Sequence, residues 1–170
     1  MLDDKIVHVL AMDISGQFAE GKGTTGWCIA RRDLSNSDKI DIAIIKNGVI
    51  DANKYQTAED YYNAHNDLIL ESRIFYKNLV VVAEDFLLYA SKAKALINSR
   101  METSQLLGVI KQYCYNQNIP FSVQTASAVK VRWTNKILEH KGIELPDTEH
   151  ARDAIRHAMH KLTWIEKEGK

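Results

Sequence analysis

Lys5-Ile6-Val7-His8-Val9-Leu10-Ala11-Met12-Asp13 is the stretch on which the reading of this chain turns. An apolar run, part β-branched, has the length and composition of a buried strand, and it stops abruptly at a carboxylate. Working outward, Ser15 to Thr25 is a polar, glycine-bearing loop, and Gly26–Arg31 reads as a second strand. Ile40–Lys46 reads as a third, with Asn47-Gly48 after it as a turn. Three strands in succession make an antiparallel meander.

Beyond the meander the pattern changes period. Thr57 is a suitable N-cap with Asp60 three residues on, and Tyr61, Tyr62, Leu68, Ile69 and Ile74 support a helix to about Lys77. Leu79-Val80-Val81-Val82-Ala83 is a short continuous apolar run, as expected of a central strand covered on both faces, and it ends at Glu84-Asp85. A helix is expected over about 99–117, a strand over Pro120–Gln124 and a short helix from Thr125 to about Val131. Asn135–Lys141 reads as another helical piece, and a last helix starts at Asp147 or Thr148 and runs to about Glu166. The order βββαβαβα predicts an α/β fold, a mixed sheet flanked by helices.

Bulk properties agree with a globular protein. A chain of 170 residues, 45% of them apolar, suits one domain spanning 1–170. No apolar run approaches the roughly 20 residues that cross a bilayer, so no membrane partner is expected. Met1-Leu2-Asp3-Asp4-Lys5 lacks the basic-then-apolar pattern of a secretory signal, which points to the cytoplasm. Cys28 and Cys114 belong to no Cys/His cluster and read as reduced packing residues.

Net charge is zero, but it is unevenly spread. Residues 1–90 carry 9 Lys/Arg against 14 Asp/Glu, a balance of −5; residues 91–141 carry 8 against 2, a balance of +6. Carboxylates that hold cations beside basic groups that hold phosphates would produce this division, although an unevenly charged solvated surface would look the same. The basic stretch holds Lys92, Lys94, Arg100, Lys111, Lys130, Arg132, Lys136 and Lys141, interleaved with Tyr113 and Trp133 and preceded by Tyr89. Exposed aromatics there could stack on unpaired bases, whereas each alone is more simply a packing residue.

Asp13 and Glu84 each close an apolar strand, with Asp85 as the next carboxylate in rank. If those two strands are neighbours, their acids converge, and two carboxylates so placed stay ionised together only with a cation between them. Mg²⁺ suits carboxylate oxygen. On the last helix His150 and Asp153 are three apart and project from one side, at the polar margin of an apolar face made by Ala151, Ala154, Ile155, Ala158 and Leu162. His157 and His160 share that stripe. Taken alone, this helix reads more plainly as a surface helix with exposed ion pairs. Gly21-Lys22-Gly23-Thr24-Thr25-Gly26 lacks the spacing of a phosphate-binding loop and reads as a hairpin loop through which Lys22 could still reach DNA.

Met12-Asp13-Ile14-Ser15-Gly16 with Thr25-Gly26-Trp27 resembles the first-strand signature of the RuvC-type Holliday junction resolvases, Gly-Ile-Asp-Pro-Gly followed by Thr-Gly-Trp or Thr-Gly-Tyr. Val81-Val82-Ala83-Glu84-Asp85-Phe86 is similar to that family's strand ending in a catalytic Glu. Leu106-Leu107-Gly108-Val109-Ile110 and Ala128-Val129-Lys130 are similar to its long-helix and Val-Lys elements. His150-Ala151-Arg152-Asp153-Ala154 resembles its closing Asp-x-x-Asp-Ala. The resemblance, in register over nearly the whole chain, implies an RNase H-like fold, a homodimer, and paired nicking of four-way DNA junctions with two Mg²⁺ per site, Mn²⁺ being able to substitute. It implies Asp13, Glu84, His150 and Asp153 as catalytic metal ligands and Lys130 as a phosphate contact; Lys22, Arg132, Phe86 and Tyr89 complete the expected DNA-binding set. The chain departs from the pattern at Ile14-Ser15, in a longer loop before Thr25, and at Leu87, which stands about where a junction-stacking Phe is found. Other readings are an RNase H-fold nuclease for RNA–DNA hybrids, flaps or forks, or a junction-binding protein with a degenerate site. An actin-like phosphotransferase also opens on Asp and Thr-Gly, but this chain is too short for its two domains.

Overall fold

The computed structural model describes residues 5–35, 40–86 and 101–165. Its strands are β1 (Ile6–Asp13), β2 (Thr24–Asp33), β3 (Ile42–Asp51), β4 (Leu79–Glu84) and β5 (Phe121–Gln124). Its helices are α1 (Ala58–Phe75), α2 (Glu102–Asn116), α3 (Ala126–Arg132), α4 (Asn135–His140) and α5 (Glu149–Trp164). The strands form one sheet in the order β3-β2-β1-β4-β5. β1, β2 and β3 pair antiparallel, while β4 is parallel to β1 and β5 parallel to β4. The anticipated α/β order is therefore present, and β1 and β4 are neighbours.

Alternation along β1 assigns the two faces. Leu10 and Met12 point into a core with Val81, Ala83, Tyr61, Ile69, Leu106 and Ile110, where α1 and α2 lie. Val9 and Ala11 point into the other core, with Cys28, Val82, Ala154, Ile155, Ala158 and Leu162, where α5 lies. Side chains on a strand repeat every second residue, so Asp13 follows Val9 and Ala11, and Glu84 follows Val82, onto the α5 face. β4 is covered on both faces, as its sequence anticipates.

α5 is tied to β2 at both ends. A Cβ on Gly26 would lie 2.0 Å from the backbone carbonyl carbon of His150, so the first turn of the helix rests directly on the strand. At the other end the buried Arg32 donates from Nη1 to the Leu162 carbonyl at 2.8 Å, a cation at a helix C-terminus. The lengths match: six strand residues cover about 20 Å and twelve helical residues about 18 Å.

Two sequence expectations are corrected. Asn47-Gly48 is not a turn; β3 runs through it to Asp51, with Gly48 opposite Trp27. A Cβ there would stand 2.7 Å from the Trp27 ring, so this glycine makes room for an indole. Ile74 does not join the buried stripe of α1, which is Tyr61, His65, Ile69 and Ser72; Ile74 is 70% exposed. Trp133 takes the packing role that the sequence favours for it, buried with Val129 and Leu138. Elsewhere Thr57 caps α1 by accepting from the Asp60 N–H at 3.1 Å, and both cysteines are buried thiols.

Gly26→Ala should cost about 3 kcal/mol or prevent folding, because backbone on backbone has nowhere to relax. Gly108→Ala is the control: among the described residues nothing stands within 4 Å of that Cβ inside α2, and the change should stabilise by roughly 0.5–1 kcal/mol. Urea unfolding of the two variants measures both.

Candidate metal centre

The ladder places the acids at one level. Asp13 pairs with Gly26 on one side. On the other, Met12 pairs with Ala83 and thereby brings Asp13 beside Glu84, and Glu84 pairs in turn with Gln124 of β5. This row lies at the carboxyl ends of the parallel strands, where open α/β sheets form their sites. The first turns of α5 come down on it through Gly26 and add Asp153. One oxygen from each of Asp13, Glu84 and Asp153 lies within 4.8 Å of the others. Asp13 and Asp153 are buried, and Glu84 is half-buried.

Three carboxylates this close and this dry repel one another. Burial holds the Asp13 carboxyl above its ordinary range; the His150 hydrogen bond opposes the shift, and the charges of Glu84 and Asp153 add to it. The set is all-oxygen, hard and anionic, which fits a divalent cation such as Mg²⁺.

Each acid also has a basic partner. His150, 44% exposed, places Nδ1 2.7 Å from Asp13 Oδ2, and that bond raises its own pKa. Lys130 Nζ lies 2.7 Å from Asp153 Oδ2; burial pulls the ammonium pKa down, but the Asp153 hydrogen bond together with the charges of Asp153, Glu84 and Asp13 raises it overall. Arg156 donates from Nη1 to Asp153 Oδ1, from Nε to the Trp133 carbonyl at 2.9 Å and from Nη2 to Asn135 Oδ1. His157 Nε2 lies 3.0 Å from Glu84 Oε2. The expected surface pairs of the last helix are thus site contacts, with Asp153 only 3% exposed.

Behind Asp13 a buried network anchors the loop. The Tyr61 hydroxyl donates to the Ser15 carbonyl at 2.6 Å. The Ser15 N–H donates to Thr25 Oγ1, and the Thr25 hydroxyl lies 2.9 Å from His65 Nε2. His65 Nδ1 faces the Tyr61 carbonyl at 2.8 Å, so Nδ1 carries the proton and Nε2 accepts from Thr25. The Gly16 N–H donates to Thr103 Oγ1 of α2, which docks the same loop from its other side.

The sequence-derived residues divide accordingly. Asp13, Glu84 and Asp153 come together; His150 touches Asp13 from outside the three-oxygen group. Asp85 follows Glu84 with opposite parity and is not among the three. Lys130 reaches the site through Asp153. Lys22 is exposed in the β1–β2 loop and paired with Glu20 at 3.1 Å. The Arg132 guanidinium stacks 4.7 Å over Trp164. Phe86 is half-buried just past β4; Leu87, Tyr89, Lys92, Lys94 and Arg100 lie outside the described residues. The sequence places Arg156 only in exposed pairs with Asp153 and gives His157 and Gln124 no role. Their signal was spacing: Arg156 and His157 fall one turn after Asp153, and Gln124 ends the strand beside Glu84.

Two outcomes follow. Burial lowers the His65 pKa from 6.5 to about 4, so the unfolded chain binds a proton between those values that the folded one does not. Stability is therefore level above pH 6.5 and falls as pH drops towards 4, by about 2 kcal/mol between pH 7 and pH 5. Urea midpoints at the two pH values should show that loss in the wild type and little of it in His65→Gln. For Asp13, a raised pKa means that the metal-free fold weakens as pH rises through it. Asp13→Asn should raise the metal-free melting temperature, by about 2–4 °C if the relief is about 1 kcal/mol, and should remove any rise that a divalent cation brings to the wild type.

No protein-family profile matches the chain, and no curated protein sequence matches it. Among solved structures, it is similar to Thermus thermophilus RuvC in complex with a Holliday junction substrate, with TM-score 0.68 and 14% identity over 95% of this chain and 96% of that one. A second T. thermophilus RuvC structure gives TM-score 0.69 at 13% identity over 95% and 97%. The yeast mitochondrial Holliday junction resolvase Ydc2 gives 0.53 at 14% identity over 94% and 79%. The chain has the RuvC, RNase H-like fold, reached by a widely divergent sequence.

Proposed function

We propose that this protein is a divalent-metal-dependent endonuclease that cuts branched DNA, with the four-way junction as its substrate. The observation that carries the reading is the convergence of Asp13, Glu84 and Asp153 from β1, β4 and α5 onto one dry, all-oxygen cluster. The fold it shares with RuvC, solved with a Holliday junction substrate, supports the choice of DNA.

In this reading the cluster holds two Mg²⁺, or Mn²⁺ in their place. Asp13, Glu84 and Asp153, with His150, would hold them. Such ions supply the positive charge that a phosphodiester needs as negative charge builds on its oxygens. The chain's own groups do the rest. Asp13 and Asp153, buried on short side chains, hold a preformed geometry. His150, on the exposed side of Asp13, could orient an attacking water instead of binding an ion. Lys130, 43% exposed, reaches from Asp153 towards solvent and meets a phosphate oxygen at the rim. Lys22, Arg132 and Phe86 extend the DNA contact. A four-way junction is two-fold symmetric, so a C2 homodimer acting in the cytoplasm would set one site on each of two opposed strands.

A strand-labelled mobile four-way junction, a replication fork and an RNA–DNA hybrid, each with Mg²⁺ or EDTA, test the proposal. Symmetric paired nicks in the junction, only with metal, are expected. Asp13→Asn should lose cutting by about a thousandfold, the scale of removing a group that stabilises transition-state charge, yet still shift the junction in a binding gel. Preference for the hybrid, or wild-type cutting by Asp13→Asn, would refute this reading.

A further inference from the structure

His157 is wholly buried on the sheet-facing side of α5, one turn beyond Asp153. The helix that carries it packs Ala154, Ile155 and Ala158 into an apolar core with Val82. An aliphatic residue would pack there without the cost of desolvating an imidazole. Both ring nitrogens are nonetheless engaged. Nε2 is 3.0 Å from Glu84 Oε2, and Nδ1 is 2.9 Å from Gln124 Oε1. Glu84 and Gln124 are register partners on β4 and β5, so the imidazole bridges two adjacent strand ends from beneath.

The protons can be placed by elimination. A carboxylate only accepts, so Nε2 carries hydrogen and donates to Glu84. Nδ1 then either accepts from the Gln124 amide, turned so that its NH₂ faces the ring, or donates to its oxygen if the ring holds both protons. In both cases the bond to Glu84 has the same direction, and Gln124 fixes the plane of the ring.

Glu84 is the acid that needs such a hold. Asp13 and Asp153 are short, buried side chains with two rotors each. Glu84 is longer by one rotor and more exposed, its side chain 23% accessible against 10% and 4% for the other two. Left alone it would sample rotamers that carry its oxygens away from the cluster. Held at Oε2 from below, it keeps one oxygen directed by the protein and the other available to a cation.

We infer that His157, steadied by Gln124, is a positioning residue that locks Glu84 into the cation-binding cluster. The inference rests on the metal reading of the site, and the test separates the two. Titrating the full chain with Mn²⁺ alone and following the free-ion EPR signal gives an affinity without any cleavage. His157→Leu should weaken the tightest Mn²⁺ site by 10- to 100-fold, the usual effect of losing a partner behind a ligand. His157→Gln, whose amide N–H can reach the position of Nε2, should recover most of it. Gln124→Met, which keeps the imidazole but frees its plane, should show a smaller loss in the same direction and serves if His157→Leu fails to fold. In junction cutting, the variants should need more Mg²⁺ for half-maximal rate while reaching a maximal rate within a few-fold of wild type. If wild type binds Mn²⁺ and both His157→Leu and Gln124→Met bind it equally well, the positioning role is wrong. If wild type binds no Mn²⁺ at all, the metal reading falls and this inference falls with it.

Discussion

The first turn of α5 sits on the bare backbone of Gly26, and the arrangement of the site follows from that contact. Gly26 pairs with Asp13 in the β-ladder. A helix that touches down on this residue therefore delivers its first two turns beside the end of β1, and no side chain other than hydrogen leaves room for it. Arg32 fixes the far end against the Leu162 carbonyl, so the helix can neither slide nor swing without breaking a buried, charge-assisted bond. His150 and Asp153 reach Asp13 and Glu84 because helix and strand are pinned at matching lengths.

The second constraint is electrostatic. Bringing three carboxylates into a dry space is unfavourable, and the protein offsets it group by group. Asp153 has Lys130 and Arg156, Asp13 has His150, and Glu84 has His157. These partners differ in kind. Arg156 is locked by the Trp133 carbonyl and Asn135 and is a permanent fixture. Lys130 and His150 stand towards solvent. The buried partners shape the cluster, and the exposed ones form its outer rim.

A third feature links the site to the opposite face of the sheet. The loop after Asp13 is held by Tyr61, Thr25 and His65 on one side and by Thr103 of α2 on the other. Since α1 and α2 are the crossovers that set β4 beside β1 and β5 beside β4, the helices that build the sheet also steady its active edge.

Much of this was legible in the residue order. Apolar runs that stop at acids marked β1 and β4, the change from period two to period three or four marked the crossovers, and adjacency of the two strands was the one condition left for Asp13 and Glu84 to converge. These are local properties, written in consecutive residues. The same local reading misplaced Asn47-Gly48, because the glycine answers to Trp27 on another strand, and it ranked Asp153 as a surface residue, because burial of a helix face depends on what docks there. Arg156 lies three residues from Asp153 on the same helix, but His157 meets Glu84 across 73 residues and Gln124 across 33, gaps that only packing closes. Sequence by itself determined the order of elements and which acids end strands, since backbone sterics and hydrophobic periodicity act over a few residues. Only the tertiary structure decided which basic group meets which acid, since that depends on where one helix comes to rest.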